Sequence, residues 1–409
     1  MNTESVFVLK TRLCDMLGIE YPIMLAGMGG VAGPSLVAAV SNAGGLGVLG
    51  AAGLSPEQLQ DWIAQTRKLT DRPFGVDLLI PRLDLPPISG KFTLGELKAF
   101  LPAEELAFMD NLKKEIGIPD VDVPPLDVSS DILSGAKKLI EVTLQEQVPV
   151  IASGLGTPAE MIPEAHRHGA KVIGLVGNVK NARRLAGMGI DIIVAQGYEA
   201  GGHTGRVGTL ALVPQIIDAV HPIPVSAAGG IGDGRGLVAA LAMGACGVWV
   251  GTAFILAHEA CIDSPVNWRT NVGMDPYALE EWEIDNWKDK IIGATEEDTQ
   301  VTKIYTGKTA RMITNKFIEA WDKAGGKPLP MPLQTILICE AAFGLRKSGM
   351  TDYISGFSGQ IAGMLKERKS ARQIVDEIVR EAIAILTDRL QTEVTAKVVG
   401  VCDEPCQRE

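Results

Sequence analysis

The chain has 409 residues, 46% of them hydrophobic and 21% charged, which is typical of a globular protein that is too long for one small domain. Its formal net charge of −11 and its lack of a basic run argue against a nucleic-acid-binding protein. There is no apolar run of about 18 residues and no signal-peptide pattern at the N-terminus, so the sequence predicts a soluble, cytoplasmic protein without a membrane span.

Eight short apolar runs of β type recur along the chain. They occupy residues 22–26, 47–50, 74–79, 148–152, 171–175, 191–195, 224–227 and 247–250. Because these runs are almost uniformly apolar, they are typical of parallel strands that are covered on both faces. Helical stretches lie between them, which predicts an α/β fold of the (β/α)8 TIM-barrel class. An open doubly wound sheet is the alternative, but the turn after the first run lacks the G-x-G-x-x-G spacing of a dinucleotide-binding fold.

Capping patterns indicate where several of the helices begin. Ser55 is followed by proline and, three residues on, by Gln58, which is a capping-box pattern. Thr157 and Glu160 repeat the arrangement, and Asp233 precedes an alanine-rich helical stretch. These signals predict helices that follow the strands directly, as βα units require.

Two segments interrupt the alternation of strands and helices. Residues 81–130 follow the third predicted strand and are rich in proline, and this position suits either a lid or a subunit contact. Residues 257–363 show no continuation of the barrel and predict a small, mostly helical accessory region. We therefore expect a barrel domain over residues 1–256, and a closing helix with a tail over residues 364–409.

The sequence predicts no metal site. The six cysteines form no Cys-x-x-Cys pair, and the closest two, Cys402 and Cys406, lie in a polar tail that lacks further ligands. Cys246 lies between a predicted helix and a predicted strand, where we expect it to be buried as a small apolar residue.

Glycine-rich turns follow the seventh and eighth predicted strands. The first contains Gly229 and Gly230, and the second is Gly251-Thr252. In barrels of this class, the loops after these two strands commonly hold a phosphate group. Glycines let backbone N–H groups approach an anion, and a following helix N-terminus adds a favourable dipole. The alternative is that the glycines only form tight turns. The pattern favours a phosphate-bearing ligand without identifying it.

The loop after the sixth predicted strand contains one histidine among glycines. Residues 196–205 read Gln-Gly-Tyr-Glu-Ala-Gly-Gly-His-Thr-Gly, and they follow the catalytic end of the strand. An imidazole at this position can remove a proton or stabilise a developing negative charge. A structural role is the alternative, but the glycines around His203 favour a functional one because they let the backbone approach a ligand closely.

Motifs along most of the chain resemble the nitronate monooxygenase (2-nitropropane dioxygenase) family of FMN-dependent TIM barrels, which is related to the flavin-type enoyl-acyl-carrier-protein reductases. The matching segments are residues 22–28, 40–47, 73–77, 196–205, 227–232, 251–254, 305–311 and 358–363. The resemblance implies an FMN cofactor and His203 as the catalytic residue beside the flavin N5. It implies cofactor contacts for Ala26, Gly27, Met28, Asp77, Gln196, Gly201, Gly202, Gly229, Gly230, Gly251 and Thr252.

Two positions depart from the family pattern. The family often has asparagine where this chain has Asp77, and an ionised carboxylate close to an anionic cofactor is unfavourable. Asp77 would therefore be protonated or turned towards other donors. The family also often has arginine where this chain has Thr204, and the 81–130 insertion is longer than expected. These last two differences concern the substrate more than the cofactor.

The resemblance implies oxidation of an alkyl nitronate by dioxygen to a carbonyl compound and nitrite. The alternative is an NAD(P)H-dependent reductase of an enone or an enoyl thioester. A third hypothesis, of another class, is a flavin-binding protein without turnover. In each enzymatic hypothesis the partner is a small-molecule substrate, and the oligomeric state is left open between a monomer and a homo-oligomer.

Overall fold

A computed structural model describes residues 8–80, 89–129, 132–157, 159–263 and 281–395. Eight parallel strands form its main sheet: β1 (Ile23–Leu25), β2 (Gly47–Gly50), β3 (Phe74–Leu79), β4 (Val150–Gly154), β5 (Lys171–Val176), β6 (Ile192–Gln196), β7 (Val225–Ala228) and β8 (Gly247–Val250). From β2 to β8 each strand pairs with the next, and β8 pairs with β1. A parallel bridge between Met24 and Leu46 brings β1 against the start of β2, which confirms the predicted barrel.

The burial of the strands explains why their sequences are so apolar. Every residue of β1, β2, β4, β7 and β8 is buried, so neither face of these strands needs polar side chains. The strands β2, β3 and β8 coincide with the predicted runs. The strand β4 begins later than predicted, at Val150, because Pro149 has no N–H to donate to a strand ladder.

Eight helices follow the strands in the order that a βα barrel requires. They are α1 (Pro34–Asn42), α2 (Pro56–Leu69), α3 (Ile132–Gln145), α4 (Met161–Arg167), α5 (Val179–Gly187), α6 (Thr209–Val220), α7 (Gly234–Ala242) and α8 (Ala371–Ala384). The predicted capping box of α2 is present: the Ser55 N–H donates to the Gln58 side-chain oxygen at 2.9 Å, and the Ser55 hydroxyl oxygen accepts from the Gln58 N–H at 3.2 Å. Asp233 caps α7 as predicted and accepts from Gly236 N–H at 3.0 Å.

The predicted start of α4 is wrong. The helix begins at Met161, and its N-cap residue Glu160 makes no side-chain capping bond. The Thr157 hydroxyl is instead 2.8 Å from the Ser153 hydroxyl near the end of β4. It therefore stabilises the turn after β4 and does not cap the helix. Residue 158 of the predicted motif lies outside the described residues.

The helix α8 completes the outer ring although it comes from the far end of the chain. It packs between α7 and α1. Glu381 accepts from the backbone N–H of Gly234 at 2.7 Å, and Arg372 donates to the carbonyl of Asn42 at 2.6 Å. A π-helical turn, Ile385–Arg389, follows α8 directly. At the amino-terminal end of the barrel the short helix Arg12–Leu17 buries its apolar side chains, and Cys246 is buried nearby as predicted.

A second hydrophobic core lies outside the barrel. Its elements are the strands Ser89–Phe92, Leu126–Ser129 and Ala310–Ile313 and the helices Leu94–Lys98, Ala103–Ile116, Lys316–Lys323 and Leu333–Lys347. Leu97 and Leu112 from the insertion share this core with Phe317, Trp321 and Ile336 from the accessory region. The two interrupting segments therefore pack on each other, which their separation in sequence does not reveal. The predicted domain boundaries stay a prediction.

The accessory region contains strands that its sequence did not predict. Thr299–Thr302 pairs with Ala310–Ile313 in an antiparallel hairpin. The second of these strands also pairs with the short strand Gly202–His203, so that Ala310 lies opposite His203 and Arg311 opposite Gly202. The hairpin is thus joined by backbone pairing to the loop after β6.

Candidate active site

A cavity of about 820 Å³ opens at the carboxyl ends of the barrel strands. All twelve residues that the sequence suggested as site residues line it: Ala26, Gly27, Met28, Asp77, Gln196, Gly201, Gly202, His203, Gly229, Gly230, Gly251 and Thr252. The fold therefore brings together segments that are separated by more than 200 positions in the chain. Their contact with a cofactor stays a prediction.

The turns after β7 and β8 form one end of the cavity from backbone. Gly229 and Gly230 have φ angles of +94° and +73°, in the left-handed region that favours glycine. A Cβ added at Gly229 would lie 3.0 Å from the Thr209 hydroxyl, which leaves little room for a side chain. Beside them, the buried Thr252 accepts a hydrogen bond from Gly359 N–H at 2.9 Å through its hydroxyl oxygen. The two turns themselves present main chain and a hydroxyl to the cavity.

One carboxylate lies close to this backbone end. A Cβ at Gly230 would be 3.5 Å from the Cβ of Glu199. The Glu199 carboxylate accepts from the N–H of Thr209 at 2.9 and 3.0 Å and from its hydroxyl at 2.9 Å. Thr209 is the first residue of α6, so the negative charge of Glu199 is held at a helix N-terminus, where the helix dipole stabilises it.

The loop after β6 is fixed by contacts on several sides. The Gln196 side-chain amide donates to the carbonyl of His203 at 3.0 Å, and the Thr204 hydroxyl donates to the carbonyl of Gly197 at 2.8 Å. A Cβ at Gly201 would be only 2.7 Å from the backbone nitrogen of Gly359, so this glycine is required by close backbone approach. These contacts restrict the orientation of His203.

The His203 imidazole is partly buried in the cavity wall. Its Nε2 lies 3.1 Å from the Thr306 hydroxyl oxygen. Burial, assisted by the positive charge of Lys308, lowers the pKa of His203 to about 4, so the ring is neutral at pH 7. The Thr306 hydroxyl is also 3.2 Å from the carbonyl of Lys308, to which it donates. When the Thr306 hydroxyl donates to that carbonyl, Nε2 is the ring nitrogen that donates to Thr306, and Nδ1 is the nitrogen that can accept a proton.

Asp77 lies at the carboxyl end of β3 and lines the same cavity. Its Oδ1 is out of contact with solvent and has no hydrogen-bond partner. Burial raises the pKa of Asp77 to about 8. The carboxyl group is therefore predominantly protonated at neutral pH.

Four cationic side chains line the cavity: Arg184, Arg206, Lys303 and Lys308. The first three are exposed to solvent. Lys308 comes from the hairpin turn that also supplies Thr306, and it acts on the pKa of His203. Because the chain as a whole has a net charge of −11, this rim concentrates positive charge locally and favours anionic ligands.

The partners of the predicted site residues are not evident from the sequence. Thr209 was not predicted, although its position after Gly208 at the start of α6 is a detectable signal. Thr306 lies within the 305–311 motif, but only the fold shows that its hydroxyl faces His203. Glu199 was noted as part of the loop sequence without a role.

Among the helices that the structure describes, none combines the length and the apolar character needed to cross a bilayer. Within the same described ranges, no three or more histidine, cysteine, aspartate or glutamate side chains are grouped so that they could hold a metal ion.

Comparison of the sequence with known proteins confirms the resemblance drawn from the motifs. The family model of nitronate monooxygenase matches residues 10–270 and 282–381. A Mycobacterium tuberculosis protein named as a monooxygenase is 36% identical over 388 residues, which is 92% of this chain and 97% of that protein. A probable nitronate monooxygenase of Staphylococcus aureus is 34% identical over 383 residues, which is 90% of this chain and 97% of the relative.

Solved structures with a similar fold were also found. FabK from Thermotoga maritima aligns with a TM-score of 0.69 at 30% identity and covers 95% of this chain and 100% of its own. A nitroalkane oxidase from Streptomyces ansochromogenes aligns with a TM-score of 0.72 at 28% identity and covers 92% of this chain and 99% of its own. Both similarities extend over the barrel and the accessory region alike.

Proposed function

The chain belongs to the nitronate monooxygenase family, and on that premise we propose that it oxidises alkyl nitronates with dioxygen, using FMN, to a carbonyl compound and nitrite. Membership makes the chain an oxidoreductase of a family of flavin enzymes. It also disfavours the hypothesis of a binding protein without turnover. The observation that carries the finer proposal is the neutral His203 imidazole in the same cavity as two glycine-rich, backbone-lined turns.

Several features of the cavity support flavin mononucleotide as the proposed cofactor. The cavity volume of about 820 Å³ lies within the usual range of small-molecule sites and leaves room for a substrate. The left-handed turn at Gly229 and Gly230 precedes α7, and the main chain there would hold the phosphate together with Gly251 and Thr252. A single phosphate anchor of this kind suits FMN better than FAD. The backbone from Ala26 to Met28 and the amide of Gln196 would contact the ring.

When bound, the flavin supplies the redox chemistry and the reaction with dioxygen. The chain supplies positioning and proton handling. The Nδ1 of His203 is available to take the α-proton of a neutral nitroalkane, because burial keeps the imidazole uncharged. With a nitronate, which has already lost that proton, His203 would orient the nitro group. The Thr306 hydroxyl fixes the ring for either task.

Spectroscopy and cofactor release test the cofactor part of this proposal. We expect the purified protein to be yellow, with flavin absorbance, and to release FMN rather than FAD on heating, as identified by chromatography. Titration with propyl nitronate in air is then expected to consume dioxygen and to form nitrite. A colourless protein that does not respond to added FMN would contradict the proposal, and so would nitrite formation without consumption of dioxygen.

A second candidate function is favoured by the cationic rim. A reductase of enones or enoyl thioesters takes its electrons from NAD(P)H, whose phosphates are anionic, and a coenzyme A or carrier-protein thioester is anionic as well. Arg184, Arg206 and Lys303 are exposed at the cavity and would attract such ligands. A nitronate is also an anion, but it is small and carries a single charge, so it needs less of this positive rim than a nicotinamide dinucleotide or a coenzyme A thioester does.

Anaerobic mixing with NAD(P)H separates the two candidates. Rapid bleaching of the flavin favours the reductase, whereas bleaching that is slower than turnover with nitronate favours the monooxygenase. In the reductase, Arg184→Ser is expected to raise the KM for NADPH several-fold while nitronate turnover is unchanged. Arg183→Ser is the matched control, because Arg183 is exposed on the same helix but does not line the cavity.

A further inference from the structure

The Asp77 carboxyl group is enclosed by elements that offer it no charged partner. In the barrel, Asp77 lies opposite Gly50 of β2 and Ala152 of β4. From the turn after β1, Gly27 presses on it so closely that a Cβ added there would lie 2.2 Å from the Asp77 Cβ. None of these neighbours has an ionisable side chain. The Oδ1 atom is consequently buried without a hydrogen-bond partner.

The other titratable groups of the cavity do not compensate for this burial. Those lining it are Arg184, Glu199, His203, Arg206, Lys303 and Lys308. The pKa of Asp77 is raised by desolvation alone, with no electrostatic contribution from any of these groups. The Asp77 carboxyl group thus lines a ligand cavity, and the protein itself leaves part of the hydrogen-bonding capacity of this group unused.

We propose that Asp77 binds the flavin as a neutral carboxylic acid, donating its proton to an acceptor atom of the isoalloxazine, so that cofactor binding is coupled to proton uptake. The ring presents carbonyl oxygens and ring nitrogens that accept hydrogen bonds. A carboxylate at the same place would offer them only acceptors and a negative charge, which is repulsive in a desolvated cavity. The proposal rests on the proposed function to the extent that a flavin occupies the cavity.

The coupling gives a defined dependence of flavin affinity on pH. With a pKa of about 8 in the free protein, Asp77 is protonated in the large majority of molecules at pH 7 and ionised in most molecules at pH 9. If only the protonated form binds tightly, the dissociation constant of FMN rises about tenfold between pH 7 and pH 9. FMN binding takes up a proton from solution above pH 8, because Asp77 is mostly ionised there in the free protein. At pH 7 it takes up almost none, because Asp77 is already protonated.

Fluorescence titration of the apoprotein with FMN tests this dependence. The matched variant is Asp77→Asn, which keeps the size and a hydrogen-bond donor but cannot ionise. We expect the wild type to lose about tenfold in FMN affinity between pH 7 and pH 9, and the variant to change by less than about twofold. Ionisation of FMN itself affects both proteins equally. Equal pH dependence in the wild type and the variant would overturn the proposal.

Calorimetry of the wild type provides a test that does not depend on the variant's folding. Titration with FMN at pH 9 in two buffers of different ionisation enthalpy measures the protons taken up per flavin. We expect a value close to one at pH 9 and close to zero at pH 7. Binding without proton uptake at pH 9 overturns this inference alone. An apoprotein that binds no FMN at any pH overturns both this inference and the proposed function.

Discussion

The two ends of the cavity are built from different materials. At the turns after β7 and β8, Gly229 and Gly230 shape the wall with main chain in left-handed conformations, and no side chain projects from them. Elsewhere in the cavity wall, in what we call the side-chain end, His203 and Asp77 contribute side chains whose pKa values are moved by burial in the directions that keep both uncharged. One end therefore depends on backbone geometry and the other on desolvation.

This difference determines what each end tolerates. A backbone site has no side chain to titrate and is disrupted by a Cβ, whereas the pKa values at a desolvated side-chain site change with the charge and exposure of their surroundings. The contrast predicts that substitutions at the two ends differ in kind: those at the glycines should impair cofactor affinity, and those around His203 should impair proton transfer and change its pH dependence.

The largest effect is expected from His203→Gln. For a neutral nitroalkane, kcat/KM should fall about 10²- to 10⁴-fold, because the group that we propose takes the α-proton is lost. For the corresponding nitronate the loss should be much smaller, since that proton is already absent. Flavin absorbance should persist in the variant. Initial rates of dioxygen consumption with both forms of one substrate measure the difference.

The control for this substitution is His166→Gln, because His166 is an exposed histidine on α4 that bonds to Asp191 at 2.8 Å and does not line the cavity. It should leave both rates unchanged. Equal losses on nitroalkane and nitronate in His203→Gln would show that the imidazole acts in orientation rather than in proton removal, and complete retention of activity would remove His203 from the reaction.

A smaller effect, and one of a different kind, is expected from Gly229→Val. A β-branched residue at a φ of +94°, with its Cβ 3.0 Å from the Thr209 hydroxyl, is strained by about 1–3 kcal/mol. If the loop relieves that strain by moving, FMN should bind about 5- to 150-fold more weakly. Turnover at saturating FMN should change far less than in His203→Gln. Fluorescence titration with FMN measures the affinity.

Gly187→Ala is the matched control, because Gly187 is an exposed helical glycine with no atom within 4 Å of an added Cβ. It should bind FMN like the wild type and gain slightly in stability. Wild-type FMN affinity in Gly229→Val would contradict the assignment of this turn to the phosphate.

Arg311→Lys tests how the loop after β6, which carries His203 of the side-chain end, is fixed in place. The buried Arg311 guanidinium donates to the carbonyl of Tyr198 at 3.2 Å and to the hydroxyl of Thr299 at 3.0 Å, and it stacks 4.6 Å from the centre of the Tyr198 ring. Lysine cannot reproduce this planar, multiple-donor geometry. The free energy of unfolding should fall by about 1.5–3 kcal/mol, as measured by urea denaturation.

The exposed Arg389→Lys serves as the control and should leave the unfolding midpoint unchanged. Because Arg311 joins the loop after β6 to the accessory hairpin, its replacement should also reduce turnover more than FMN affinity. Loss of FMN affinity without loss of turnover would indicate that the hairpin supports the backbone end instead.

The same contrast separates what the sequence could predict from what it could not. The strands were recognisable because both of their faces are buried, and the glycines of the turns were recognisable because a left-handed backbone needs that residue type. The start of α4 was mispredicted because the Thr157 hydroxyl bonds to Ser153, a choice that depends on the turn geometry. Capping patterns do not contain that information.

The contacts and pKa values of the site side chains could be determined only from the folded structure. Thr306 and Lys308 lie about a hundred positions from His203 and reach it only because the accessory hairpin pairs with Gly202–His203. The strands of that hairpin were not predicted because Thr299–Thr302 is half-buried and has no apolar pattern to mark it. The packing of Leu97 and Trp321 in one core is likewise a tertiary contact that the sequence does not reveal.

The smallest expected effect comes from Lys308→Met, and it tests whether the side-chain end responds to charge. Burial is the larger cause of the low pKa of His203, and Lys308 is the smaller one. Removing the lysine should raise the pKa of His203 from about 4 towards its ordinary value of 6.5. This rise should be smaller than the decrease that burial causes. Because proton removal needs the neutral ring, the acid limb of kcat/KM for a neutral nitroalkane should move to higher pH.

The pH dependence of stability follows from the same shift. Since the unfolded chain binds a proton at His203 near pH 6.5 and the folded chain only near pH 4, stability falls as the pH is lowered through this interval. Lys308→Met should lessen that fall, as measured by urea denaturation at pH 7 and pH 5. Lys303→Met, at the same rim but without influence on His203, should change neither profile. Equal shifts of the acid limb in both lysine variants would show that the summed positive charge of the rim, and not the position of Lys308, lowers the pKa of His203. The difference between the backbone end and the side-chain end of the cavity would then be smaller than their residues suggest.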